Sequence, residues 1–473
     1  MKKILSLMLA MMMIMMTAGA LAEEGPGEAP PEPPEGGMMG PPPEGGPGGT
    51  PPEAPPGGFG GGTPPGGGSA NVTYTAATEI KEAAVQENGT YVSETTDENA
   101  LLIQTADSVT ITSPTVQKTG DSNGGDSCNF YGLNAGVLVM GGSVTTITGG
   151  TIETSASGAN GVFSYGGNGG TNGAEGDGTT VVISDTKITT TGDGSGGIMT
   201  TGGGMTFANN LEVTTSGRSS AAIRTDRGGG TVAVDGGTYT SNGLGSPAIY
   251  STADITVRNA TLTSNLSEGV CIEGMNSITL ENCDLTASNT QRNGNATFLD
   301  TIMIYQSMSG DADSGTSSFT MTGGSLTSLS GHMFHVTNTH AVITLSGVQL
   351  VNSGSDVLLS VCDDGWNGSS NIAEMTADGQ SLQGNILVGE NSTLALTLAN
   401  GSAFEGSISG NIVNAKGEQV SEETGNVSVT LDDTSSWTLT GDTWITTFTG
   451  DAARVNGNGY TLYVSGEALA GIN

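Results

Sequence analysis

The sequence predicts an all-β fold: a single right-handed parallel β-helix, a solenoid of stacked coils, behind a disordered N-terminal Pro/Gly tether. Three observations predict it. A short phrase recurs along the chain: apolar, Thr-like, apolar, any residue, then Asn, Gly or Asp, two more residues, and an apolar residue. Two clear copies, Ile255-Thr256-Val257-Arg258-Asn259 closing on Leu262 and Ile278-Thr279-Leu280-Glu281-Asn282 closing on Leu285, start 23 residues apart. A repeat of that length marks stacked coils, and helical periodicity is missing from the repeat region.

The chain opens like an export signal. Lys2 and Lys3 precede an apolar run from Ile4 to Met16, and Ala20-Leu21-Ala22 offers small residues ahead of Glu23. Residues 1–22 therefore read as a signal peptide, too short to span a bilayer, and the mature protein as secreted and extracellular, either released or held to a surface non-covalently. Residues 23–69 are almost entirely Pro, Gly and Glu, which cannot bury enough apolar area to offset the entropy of ordering. The region 70–100 reads as an N-terminal cap, with Thr78 to Val85 as a short amphipathic helix. Coils fill 101–385, and 386–473 reads as their continuation and C-terminal cap, with strands to about Val464.

Within the phrase, two apolar residues at spacing two make a short strand with one buried face. The chain must then turn sharply, and Gly, Asn and Asp tolerate the left-handed conformation the corner needs. The slot holds Gly149, Asp185, Asn209, Gly236, Asn259, Asn282, Gly323 and Gly347. A second strand sits at a fixed place in each coil. Its inward residues read Val137, Val162, Ile198, Ile223, Ile249, Val270, Ile302, Phe334 and Leu358. Residues 166–180, 287–300 and 307–317 are insertions, which in solenoids become loops on one face.

The same phase assigns outward residues. One slot reads Leu138, Phe163, Met199, Arg224, Tyr250, Cys271, Met303 and His335; the next reads Met140, Tyr165, Thr201, Asp226, Thr252, Glu273, Tyr305 and Thr337. An aromatic and Met stripe with charges at its centre suggests either a ligand groove or a face covered by loops. A polysaccharide groove would use Phe163, Tyr165, Tyr250, Tyr305 and His335, with Arg224, Asp226, Arg227 and Glu273 at its middle. If the chain were an enzyme, Asp226, Glu273 and Arg224 or Arg227 would carry the chemistry. Asp226 and Glu273 fall two coils apart, about 9–10 Å, near the upper separation of an inverting carboxylate pair. An Arg–Asp pair that neutralises a structural face accounts for the same residues.

The net charge is −35, which argues against nucleic acid and anionic membrane surfaces as partners. It suits neutral glycans, basic partners or divalent cations, calcium among them; no cofactor motif is present. Cys128, Cys271, Cys283 and Cys362 allow three disulfide pairings and the sequence selects none; a long solenoid needs no staple, so free buried thiols are the simplest expectation. His332, His335 and His340 are scattered by strand alternation and carry no zinc spacing. Thr positions read as turn-flanking and inward, not as an outward Thr-x-Thr array, which speaks against an ice-binding face.

Across roughly residues 100–465 these features resemble the pectate-lyase-like superfamily of right-handed β-helices, through the Asn/Gly turn slot. Trp437-Thr438-Leu439-Thr440-Gly441-Asp442 and Gly457-Asn458-Gly459-Tyr460-Thr461-Leu462 look like repeats of bacterial adhesins and autotransporter passengers. With its tether the whole is similar to secreted, adhesin-like β-helix repeat proteins of Gram-positive bacteria. The resemblance implies the fold. It implies less about activity, because this fold hosts lyases, hydrolases, adhesins and tailspikes, and some members bind polygalacturonate with calcium without cleaving it. The lyase pattern of several carboxylates on adjacent coils is reduced here to Asp226 and Glu273, separated by Thr252. The hydrolase motif series is missing: Gly331-His332-Met333 precedes Asp363-Asp364, and there is no Arg-Ile-Lys. The expectation is therefore a non-catalytic binding or adhesive protein for polysaccharide or cell-surface glycan, with a lyase or glycoside hydrolase for acidic glycans as the alternative.

Overall fold

The structure, a computed structural model, describes residues 72–168, 175–366 and 370–473. The signal peptide, the tether and residues 169–174 of the first insertion lie outside the described residues. From residue 72 onward the chain is a parallel β-helix. Each coil up to Ile408–Ser409 contributes one strand to a 13-stranded parallel sheet, which runs from Thr75–Ile80 through Val270–Glu273; the last coils place Thr443–Ile445 and Leu462–Val464 in a separate three-stranded sheet. Most coils contribute two further strands, one on each side of the turn slot, to a 22-stranded sheet.

The turn slot is where local sequence dictates the path. Asp185, Asn259 and Asn282 take φ of 52°, 53° and 52°, and Gly149, Gly236, Gly323 and Gly347 are also left-handed. The slot extends further than the phrase suggests, to Asn88, Ser113, Gly379 and Asn400. One assignment shifts by a residue. Asn209 pairs with Ser184 and Asp235 inside the strand Gly204–Thr215, and the left-handed corner is its neighbour Asn210, φ 53°. The looser wording of that copy hid the offset. Side chains at the corner also bridge coils: Asn210 Nδ2 donates to Asp185 Oδ1 at 2.7 Å, and Asn259 Nδ2 to Asp235 Oδ1 at 2.7 Å.

Inward residues stack on like residues. Ile255 pairs with Ile278, Ile278 with Phe319, and Phe319 with Ile343, all buried. Each such side chain contributes roughly 1.5–3 kcal/mol on burial. In the 13-stranded sheet the inward column is as read from the sequence up to Phe334, which pairs with Leu359 and not with Leu358. The register shifts between Val357 and Leu359, so an irregularity displaces the alignment by one.

Thr78 to Val85 is not helical. Thr75–Ile80 pairs in parallel with Glu98–Gln104, and Ala84–Glu87 pairs with Ser108–Thr112. The ladder bonds offered by the next coil outweigh the weak local helical pattern. The one described α-helix is Asp126–Tyr131, closed by Gly132 at φ 77°. Thr residues likewise depart from their reading. Outward threonines form a column of eight coils, from Thr256 and Thr279 through Thr320, Thr344, Thr376 and Thr397 to Thr430 and Thr449. A second column of six runs from Thr189 to Thr327 on the other side of the corner. Among the described residues, Thr-x-Thr pairs on adjacent coils occur at Thr110/Thr112 with Thr146/Thr148 on the first side and at Thr238/Thr240 with Thr261/Thr263 on the second, so a two-rank array never extends beyond two coils.

The connection back into the 13-stranded sheet shortens late in the chain. It spans residues 353–356 before Val357–Val361 but only Gly384 before Asn385–Val388. The coils narrow there and leave a concave shoulder. The four cysteines are free and buried.

Candidate functional site

The outward stripe lies on the 13-stranded sheet in the register read from the sequence. Phe163 pairs with Met199, Met199 with Arg224, Arg224 with Tyr250, Tyr250 with Cys271, Cys271 with Met303, and Met303 with His335. Glu273 pairs with Tyr305 in the neighbouring slot. The alignment therefore brings the candidate residues onto one face. That face is not an open groove. Phe163 and His335 are 0% exposed, and Tyr165, Arg224, Asp226, Glu273 and Tyr305 are all buried. Of the candidate residues, Tyr250 and Arg227 keep partial exposure. Aromatic faces in this state have no free side on which a sugar ring could stack.

Several segments from other coils make the cover, among them the hairpin Ile412–Ser421, whose Ile412 and Val420 pack with Leu387 on Phe298. The helix Asp126–Tyr131 lays Phe130 and Tyr131 over Phe163, Tyr165 and Met199 in a second apolar cluster. Tyr131 meets Tyr165 edge-on at 5.7 Å. Segment 287–299 places Phe298 flat on His335 at 4.7 Å. Segment 306–315 closes over Glu273, and Trp366 packs against Tyr305 at 5.2 Å. Two of these covers are the insertions at 287–300 and 307–317. The helix went unread because six residues are too few to show periodicity; Asp126 in its first turn and Gly132 at its end are its only local signals.

The charged residues are consumed by the cover. Arg224 Nη2 donates to Asp226 Oδ2 at 2.7 Å, and its Nη1 donates to Ser219 O at 3.0 Å and Asn129 Oδ1 at 3.3 Å. Arg227 grips Asp311 Oδ1 with Nε at 3.2 Å and Nη2 at 2.5 Å, while its guanidinium lies 4.0 Å from the Phe130 ring centre. Glu273 accepts from Tyr250 Oη at 2.5 Å, Tyr305 Oη at 3.1 Å and Ser309 Oγ at 3.2 Å, and also from Ser307. Burial lifts the Asp226 carboxyl to about 6, against the pull of Arg224. Burial also raises Glu273, against the hydrogen bonds of Ser307 and Tyr250. Both shifts follow from removing a carboxylate from water.

A buried polar cluster that sequence reasoning missed lies further along the same seam. Ser360 Oγ sits 2.7 Å from His335 Nδ1 and 2.8 Å from His332 Nδ1, and His335 Nε2 faces Asp364 Oδ2 at 3.5 Å. Burial lowers His332 to about 3. Asp364 Oδ1 accepts from the Thr297 backbone and hydroxyl. Glu268 and Asp300 lie close by, both raised by burial first and then, for Asp300, by the two neighbouring carboxylates. Ser360, His335 and Asp364 thus lie in a row, but His335 Nε2 and Asp364 Oδ2 make no hydrogen bond, each residue is 0% exposed and Phe298 covers the imidazole. Among the described residues no three His, Cys, Asp or Glu side chains are placed to hold a metal ion. Strand separation in sequence (residues 268, 300, 335 and 364) left this cluster without a motif.

The shoulder left by the shortened connection is an open concavity of about 730 Å³. Gln349, Asn352, Asp356, Gln383, Asn385, Glu405, Ser407 and Thr440 line it, above Met333, Val348 and Leu350. No family profile, curated protein or solved structure matches the chain. Among the described residues no helix is long and apolar enough to cross a membrane.

Proposed function

We propose that this is a secreted, non-catalytic β-helix of the pectate-lyase-like type that binds polysaccharide or a cell-surface glycan, in the manner of adhesin-like repeat proteins. The observation that carries the reading is the fate of the candidate catalytic groups. Asp226, Glu273, Arg224 and Arg227 are each tied to partners within the protein, and the first three are almost wholly withdrawn from solvent. What the fold leaves to a partner is its outer surface, with long columns of hydroxyl side chains at the coil spacing of about 4.8 Å. Such a surface offers regularly spaced donors and acceptors to an extended chain of sugars.

Retention of the secreted protein on immobilised polysaccharides, with and without calcium, tests the proposal. Retention on at least one glycan is expected; passage through every plant and host glycan on a broad panel would end it. One observation favours the rival reading of a lyase or hydrolase: Asp226 titrates near 6, where a general acid works. That reading requires product release from an acidic glycan by the wild type and its loss in Asp226→Ala without unfolding.

A further inference from the structure

We propose that the saccharide site is the C-terminal shoulder, not the sequence-read stripe, and that it takes a glycan without carboxylates: a neutral or amino-sugar chain. The inference rests on the proposed glycan-binding function and narrows it to a place and a charge class. The cover over the 13-stranded sheet includes Trp366 and, after it, Ile412 and Val420, which pack with Leu387 against Phe298. Leu387 pairs with Ser409, and further along Trp444 pairs with Tyr463. Trp444 is 44% exposed and lies parallel to Tyr463, ring centres 5.4 Å apart and planes within 8°. Tyr460, also 44% exposed, is near them in the chain. A chain with 4% aromatic residues thus places three near its C-terminal end, Trp444 and Tyr460 exposed and Tyr463 half-buried. An amphipathic ring of that kind accepts the C–H face of a pyranose while its polar edge stays wet.

The concavity and the shelf share one stretch of chain: Thr440 lines the first, and Trp444, four residues on, belongs to the second. Its wall is braced from within. Asn385 Nδ2 donates to Asp356 Oδ2 at 2.9 Å, and Asn385 Oδ1 accepts from Ser407 Oγ at 2.8 Å. On the opposite side Gln383 and Glu405 are paired positions of adjacent coils, both exposed, and the described chain gives neither side chain a hydrogen-bond partner. An amide and a carboxylate about one coil spacing apart can engage hydroxyls of successive sugars. The lining contains Asp356 and Glu405 and no Lys or Arg. A uronate would meet two like charges and no counter-charge, which is the repulsive element that selects against it.

The test uses the full secreted chain with three probes: cellohexaose, a fully deacetylated chitosan hexamer, and polygalacturonate with and without calcium. Calorimetric binding to cellohexaose or the chitosan hexamer is expected. Trp444→Ala should weaken it at least tenfold, Trp444→Phe should retain most of it, and thermal unfolding should not move. Glu405→Gln should weaken the chitosan hexamer and spare cellohexaose. Because Gln383 is exposed, Gln383→Ala gives a second reading if Trp444→Ala disturbs folding; it should weaken binding several-fold. Binding to polygalacturonate alone would overturn the inference and leave the proposed function standing. Binding of either hexamer that survives both Trp444→Ala and Gln383→Ala within twofold would also overturn it. No binding to any of the three probes overturns the site, and failure on the broad glycan panel removes the proposed function with it.

Discussion

Arg227 is the residue that pins two covers at once, so Arg227→Ala should open the seam without unfolding the solenoid. Its guanidinium makes two charge-assisted bonds to Asp311 and lies 4.0 Å over Phe130, with side-chain exposures of 15% for Arg227 and 18% for Asp311. At that degree of burial the pair escapes most solvent screening. Bonds to a charged group contribute about 1.5–3 kcal/mol net, and a cation–π contact about 1 kcal/mol. Losing both costs about 3 kcal/mol, or roughly 100-fold in a local opening equilibrium. Native-state hydrogen exchange reads this directly. The Asn129 amide, bonded to Gly125 O, and the Met275 amide, bonded to Asp313 O, should lose protection by about two orders of magnitude. Amides of the coil core, such as Val257 and Leu280, should keep theirs. Arg227→Lys retains the charge without the fork and should fall in between. Unchanged protection over 126–131 and 306–315, or equal loss throughout the coils, would refute the assignment of Arg227 as the clasp.

The same structure fixes three further outcomes. Asn282→Val forces a β-branched residue into φ 52° and should cost about 1–2 kcal/mol, seen as a lower denaturation midpoint; an unchanged midpoint would contradict the strained corner. Burial holds the Asp226 carboxyl at about 6 in the folded chain against an ordinary 3.8, so the native state holds its proton more tightly. Its contribution is greatest below pH 4 and is lost as pH rises from about 4 to 6, by roughly 3 kcal/mol; the stability difference between wild type and Asp226→Asn across that range should show this slope, and the opposite slope would refute it. The four thiols should react with a bulky disulfide reagent only under unfolding conditions, and rapid labelling of any of them in the native protein would contradict their burial.

The phase of the coils was legible because it is local. A corner residue with positive φ and two apolar residues at spacing two are properties of a short stretch, and they placed Ile255, Ile278, Phe319 and Ile343 in the core column. Where the local wording was loose, at Asn209 and Leu358, the reading slipped by one residue, since only strand pairing decides between adjacent positions. The sequence also put Arg224, Tyr250, Glu273, Tyr305 and His335 on one face, and the register agrees. It left two states of that face open, groove or seam.

Only the tertiary structure closed it. The contacts that do so join residues far apart in the chain: Asn129 to Arg224 across 95 residues, Arg227 to Asp311 across 84, and Thr297 to Asp364 across 67. Each cover is an irregular segment with no period, so nothing in its own wording says which coil it lies on. The shoulder at Gln383 and Asn385 was hidden for a related reason, because a connection shortened to Gly384 is a change in cross-section, visible only when the coils are stacked. Periodic local chemistry set the solenoid and its two faces; the docking of aperiodic loops decided which of those faces reaches the solvent.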